Sequence, residues 1–143
     1  MNDPANIIRV YDRAYVHPEH LSAFLRATMH FYNARPTIRF EMPDQGMSVI
    51  GLESDTANFS VVSAAEEHLA PLYATGQTIL VASIDRALED VRAAGGSVVQ
   101  VKTPVPPGFQ ARGRLPGGNV IEFAQWDHAE PYRNPDLSDL GIG

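Results

Sequence analysis

The chain has 143 residues, 44% of them hydrophobic and 20% charged, with 17 acidic against 11 basic side chains and a net charge of -6. That is enough for one ordinary globular domain, or two very small modules sharing a core, and it excludes wholesale disorder. The acidic balance and the lack of any basic cluster argue against nucleic acid or an anionic membrane as a partner. No apolar run approaches the roughly 20 residues of a membrane span, and Met1-Asn2-Asp3-Pro4 lacks the basic and apolar regions of a signal peptide. Cysteine is absent, which removes disulfide and thiol chemistry and fits a cytoplasmic protein.

In chain order, residues 1–6 read as a polar, loose start. Ile7 to Val16 reads as a strand: Ile8, Val10, Ala14 and Val16 share one face, and Arg9, Tyr11, Arg13 and Tyr15 share the other. The first set suits a core under a helix. The second suits either a solvated sheet face or a wet face where cations and phenols meet a ligand. His17-Pro18-Glu19 opens a helix, since proline is tolerated in the first turn, and Leu21, Phe24, Leu25 and Met29 fall on one side of it. Strands are expected over 37–42, 47–53 and 58–63, with turns at Asp44-Gln45-Gly46 and Ser54-Asp55-Thr56. Residues 64–76 form a connector with a short helical turn ended by Pro71.

The same order then begins again. A β-branched run over 77–83 precedes an amphipathic helix over 85–94, capped by Ser83 or Asp85 and stopped by Gly95-Gly96. Ser97 to Val101 is a strand, and residues 103–108 carry three prolines and read as a rigid turn. Residues 109–115 and 119–126 complete the set. The tail from Asp127 is polar, with little to pack. Two β-α-β-β-β units, offset by roughly seventy residues, therefore span about 7–63 and 77–126 of a single domain.

The last strand carries the most telling motif. Leu115-Pro116-Gly117-Gly118-Asn119 is a dense turn signal, and Val120-Ile121-Glu122-Phe123-Ala124-Gln125 follows with Ile121 and Phe123 on one face and Val120, Glu122 and Ala124 on the other. An ionised carboxylate in such a strand is costly unless it is solvated on an open face, paired, or bound to a metal. This motif, with the repeated element order and the helix from Ser83 to Gly96, resembles the vicinal oxygen chelate superfamily of glyoxalases, bleomycin-resistance proteins and extradiol dioxygenases. The resemblance covers about residues 7 to 126. It implies an α+β fold in which two tandem βαβββ modules curl a mixed sheet into a cleft, with helices on the outer face.

In metal-using members of that superfamily the Glu matching Glu122 is a ligand. The resemblance places the other ligands near residues 8–11, on the strand carrying Ser60, and near 76–78, where Gln77 and Thr78 are the only possible donors; Asp12 is close but lies on the parity of Val10. The histidines at 17, 20, 30, 68 and 128 fall outside the strands. A metal held by His17 and His20 beside Glu19 competes with ordinary solvation of those side chains. Asp44, Glu53 and Asp55 read as solvated turn residues, and Trp126 and Tyr132 either cap the cleft or seal the core or a dimer contact.

The expected function is therefore small-molecule binding in the cleft without a complete metal site or cofactor. Arg9, Tyr11, Arg13, Tyr15, Ser60, Thr78, Arg112, Arg114 and Glu122 are the expected lining residues. Arginines there favour a carboxylate, phenolate or phosphate. The alternative is a metal-dependent lyase, isomerase or dioxygenase in which Glu122 is a ligand or a general base. A single module would bury too little surface to stand alone. The resemblance implies a homodimer with module exchange, with strands 7–16 and 77–83 at its interface.

Overall fold

A computed structural model describes residues 4–143 of the chain. The elements in order are β1 (Ile7–Val16), α1 (Leu21–Tyr32), β2 (Arg35–Met42), β3 (Met47–Glu53), β4 (Asn58–Ser63), the single-turn α2 (Glu66–Leu69), β5 (Thr75–Val81), α3 (Ile84–Ala93), β6 (Ser97–Val105), β7 (Gly108–Arg114) and β8 (Val120–Gln125). All eight strands join one curled sheet in the order β2-β3-β4-β1-β5-β8-β7-β6. Within each module the first strand pairs parallel with the last, β1 with β4 and β5 with β8. The two first strands then pair antiparallel, which joins the modules about a local two-fold. The fold is the α+β arrangement expected from the repeated pattern.

That seam corrects one expectation. The edges of β1 and β5 are used against each other, so the cleft is complete within one chain and needs no exchanged module.

The outer face buries two apolar layers, each beneath one helix. Leu21 and Leu25 of α1 pack on Val16, Ile50, Leu52 and Val61. Ile84, Ala87, Leu88 and Val91 of α3 pack on Val81, Ala111 and Phe123. The 3.6-residue spacing on each helix meets the two-residue spacing of the strands below it. Ser83 caps α3 by accepting from the Arg86 amide at 3.2 Å, and Gly95 follows at φ +89°, a value that suits glycine. A Cβ at Gly96 would stand 2.2 Å from the Arg114 carbonyl oxygen, so the return from α3 to β6 requires glycine.

Three boundaries differ from the sequence reading. Asn6 is buried rather than loose: its side chain brackets residue 83, donating to the Ser83 carbonyl at 3.1 Å and accepting from the Ser83 amide at 2.8 Å. The remainder of the expected loose start, residues 1–3, lies outside the described residues. β6 runs on through Pro104, which pairs with Phe109. β6 is an edge strand, so a missing amide donor costs it nothing on the open side.

The third difference is the tail, which is packed. Leu137 is 3% exposed and joins the layer under α1, with Leu140 and Ile142 against it. Arg39 grips Asp139 with two hydrogen bonds, at 2.7 and 2.9 Å. Leu137→Ala should therefore lower unfolding stability by about 2–4 kcal/mol, read as a lower urea midpoint at unchanged slope. Hydrogen bonding to Arg39 holds the Asp139 carboxyl below the usual carboxylate range. A lowered folded value means that the contact stabilises above that range and fades as pH falls through the lowered value. Asp139→Asn should flatten that part of the acid limb of the stability profile.

Candidate functional site

The side chains that alternate onto the inner face of the sheet fill much of it. At one end Trp126 lies 5.8 Å from the Tyr11 ring, and Tyr132 packs edge-on to Phe40. These two aromatics seal the core there. At the other end the connector folds back, burying Leu69 and Ala64 on Met47 and Val62. The inner face is thus mostly dry, which corrects the expectation of an open wet surface. Between the two ends remains a cleft of about 280 Å³.

The cleft has unlike walls. Phe40, Met42, Met47, Val49 and Val62 form the apolar side, from β2, β3 and β4. Gln100, Gln110 and Arg112 form the polar side, from β6 and β7. Arg13 and Glu122 form the floor, and Glu67, His68, Pro71 and Leu72 of the connector form the rim.

The floor is set by strand register. Tyr11 pairs with Thr78 across the seam, Thr78 with Glu122, and Glu122 with Arg112. Arg13 Nη1 donates to Glu122 Oε1 at 2.9 Å and to Thr78 Oγ1 at 3.0 Å, and Thr78 Oγ1 donates to the same Glu122 oxygen at 3.2 Å. Arg13 Nε donates to the Tyr15 hydroxyl at 3.1 Å. The Tyr15 hydroxyl lies 2.6 Å from the carbonyls of both Leu72 and Thr75, which anchors the connector to the sheet. The two charged side chains are 4% and 12% exposed. Burial works against the Arg13 charge, but the carboxylate of Glu122 and the hydroxyl of Tyr15 outweigh it and raise its affinity for the proton. The guanidinium is permanently charged.

Of the expected lining residues, Arg13, Arg112 and Glu122 line the cleft, and Thr78 supports its floor. Tyr15 holds the connector. Tyr11 and Ser60 border a nearly closed pocket of about 10 Å³ with Trp126. Arg9 reaches Glu53 at 3.4 Å and is half exposed, outside the cleft. Arg114 is exposed at the end of β7, paired in register with Ser97. Asp12 and Gln77, opposite each other across the seam, have the outward parity, away from Glu122.

Glu53 was misread as a turn residue. It accepts from the Tyr11 hydroxyl at 2.7 Å and from Thr37 at 2.9 Å. Burial, together with that carboxylate, keeps the Tyr11 phenol protonated far beyond its ordinary range. Gln100, Gln110 and the apolar wall were also missed. The wall was nonetheless signalled by the alternation of Phe40 and Met42 before a turn with Met47 and Val49 after it.

The donor set does not fit a divalent ion. Glu122 Oε1 is already engaged by Arg13 and Thr78. Among the described residues no three His, Cys, Asp or Glu side chains converge. His17 turns to Glu66, 2.8 Å away, rather than toward His20. A guanidinium neutralises the carboxylate that the resemblance assigns to a metal.

Two polar atoms in the cleft are buried with no partner: Arg112 Nε and Gln100 Oε1.

Breaking the floor pair should be costly. Arg13→Met leaves Glu122 buried and uncompensated, and stability should fall by about 3–5 kcal/mol, while Arg13→Met/Glu122→Leu recovers most of that loss. Urea unfolding of the two single variants and the double variant at neutral pH measures the coupling. Additive losses would mean that the pair is not the organising contact.

No family model matches the sequence, and no curated protein is similar to it. Among solved structures, an uncharacterized protein from Methanosarcina mazei superposes with a TM-score of 0.69 at 26% identity, covering 85% of this chain and 94% of that one. Methylmalonyl-CoA epimerase from Mycobacterium tuberculosis superposes at 0.62 with 14% identity, covering 87% and 92%. A hypothetical protein from Bacillus halodurans superposes at 0.60 with 15% identity, covering 80% and 92%. The fold is thus the glyoxalase-like, vicinal oxygen chelate fold that the epimerase shares.

Proposed function

We propose that the chain binds a small organic molecule in the inner cleft, and does so without a metal. The observation that carries this reading is the division of the cleft: an apolar wall of Phe40, Met42, Met47, Val49 and Val62 faces a polar wall of Gln100, Gln110 and Arg112. Such a cavity suits a ligand with an apolar body and a polar head, and about 280 Å³ lies near the small end of organic-ligand sites. The Arg13–Glu122 pair serves as a rigid polar floor. The metal-dependent alternative is less favoured, because Glu122 has its cation already.

The test is thermal stability with a panel of small acids, amides and alcohols bearing aromatic or branched alkyl groups. A ligand that binds only the folded chain raises the melting temperature with concentration. At least one member should do so, and Val49→Trp, which fills the apolar wall, should remove the effect while the variant stays folded. A flat response across the panel sinks the reading.

We further propose that the chain forms a homodimer through the outer face of its central strands. Ile7, Ile8 and Val10 are 45%, 55% and 39% exposed there, a contiguous apolar strip between the two helices. Light scattering at micromolar concentration should give about twice 15.6 kDa, and Ile8→Glu should halve it.

A further inference from the structure

Arg112 stands apart from the other charges of the cleft floor. Arg13 and Glu122 neutralise each other at 2.9 Å. Arg112 lies opposite Glu122 in register, yet it makes no ion pair or hydrogen bond among the described residues, and its Nε is buried without a partner. The floor therefore carries one uncompensated positive charge in a chain of net charge -6. The remaining charged carboxylate of the cleft, Glu67, is 79% exposed at the rim with His68 beside it, and is solvated. A buried donor on a charged group that lacks an acceptor is expensive, and the cost is removed when an anion is supplied.

The neighbouring residue adds a second requirement. Gln100 pairs in register with Arg112. The Thr103 hydroxyl donates to the Val101 carbonyl at 2.8 Å, so it can only accept from Gln100, whose Nε2 lies 3.5 Å away. That fixes the amide with its nitrogen toward Thr103 and its Oε1 toward the cleft, buried and unpartnered. One strand pair thus presents a cationic donor beside a bare acceptor.

We infer that the ligand is a hydroxylated organic anion, in which a carboxylate meets Arg112, an adjacent hydroxyl donates to Gln100 Oε1, and an apolar body lies against Phe40 and Val49. A 2-hydroxy acid with an aryl or branched alkyl group has this arrangement. The inference rests on the small-molecule reading of the cleft and specifies the head group it selects.

Mandelate, phenylacetate and mandelamide separate the requirements, because they share a phenyl body and differ in the hydroxyl or the charge. Calorimetric titration should rank mandelate tightest, with phenylacetate weaker for want of the hydroxyl and mandelamide weaker for want of the charge. Arg112→Met should weaken mandelate by about tenfold or more and leave mandelamide unchanged. Gln100→Met should erase the difference between mandelate and phenylacetate. Mandelamide binding as tightly as mandelate to the unaltered chain overturns the inference and leaves the small-molecule reading standing, and this comparison needs no variant to fold. Phenylacetate matching mandelate removes the hydroxyl requirement. If none of the three binds, the small-molecule reading and this inference fall together.

Discussion

The contact on which the rest of the molecule depends is the buried pair between Arg13 and Glu122. Its two residues lie on β1 and β8, the strands on either side of β5, and Thr78 of β5 bonds to both. Every register across that seam must be right for the three groups to meet. A slip of one residue would turn Arg13 or Glu122 into the apolar layers beneath the helices, where neither charge has a partner. The pair therefore acts as a register lock between the modules, whatever its net contribution to stability.

Around this lock the inner face is divided by where the chain can supply apolar cover. The connector covers the β3–β4 end, and the segment after β8 brings Trp126 over Tyr11 at the opposite end. Glu53 stays at that second end only because Tyr11, Thr37 and Arg9 satisfy it. The uncovered middle is the cleft, with a floor polar enough to hold a head group and a wall apolar enough to hold a body.

Most of the fold was legible. Alternation assigned the faces of β1 and β8 correctly, so Arg13 and Glu122 were both expected on the inner face, and the caps of α3 and its Gly-Gly stop were plain. What sequence could not supply was which inward residues touch. Tyr11 and Arg13 share a face and a spacing of two, yet one is sealed under Trp126 and the other lies on the cleft floor. Arg112 and Arg114 have the same relation, and only the first lies under the curl of the sheet. Glu53 follows an apolar strand and precedes a turn, so nothing local separates a solvated carboxylate from one gripped by residues 42 and 16 positions away. The tail was misjudged because a single Leu137 among polar residues gives no periodicity, although one side chain suffices to dock it.

The choice of arginine at position 13 has a consequence for the rim of the cleft. A lysine could neutralise Glu122, but it lacks the planar fork that donates to Glu122 and Thr78 from one nitrogen and to Tyr15 from another. Tyr15 passes that constraint onward: its hydroxyl accepts from Arg13 and shares its own proton between the carbonyls of Leu72 and Thr75. Leu72 belongs to the rim of the cleft. One chain of hydrogen bonds thus runs from the carboxylate in the floor to the connector above it. Hydrogen bonds in such a chain polarise one another, so a change at either end is felt along its length. A molecule that enters the cleft meets a floor and a rim that are already fixed to each other, and binding spends little on ordering either one.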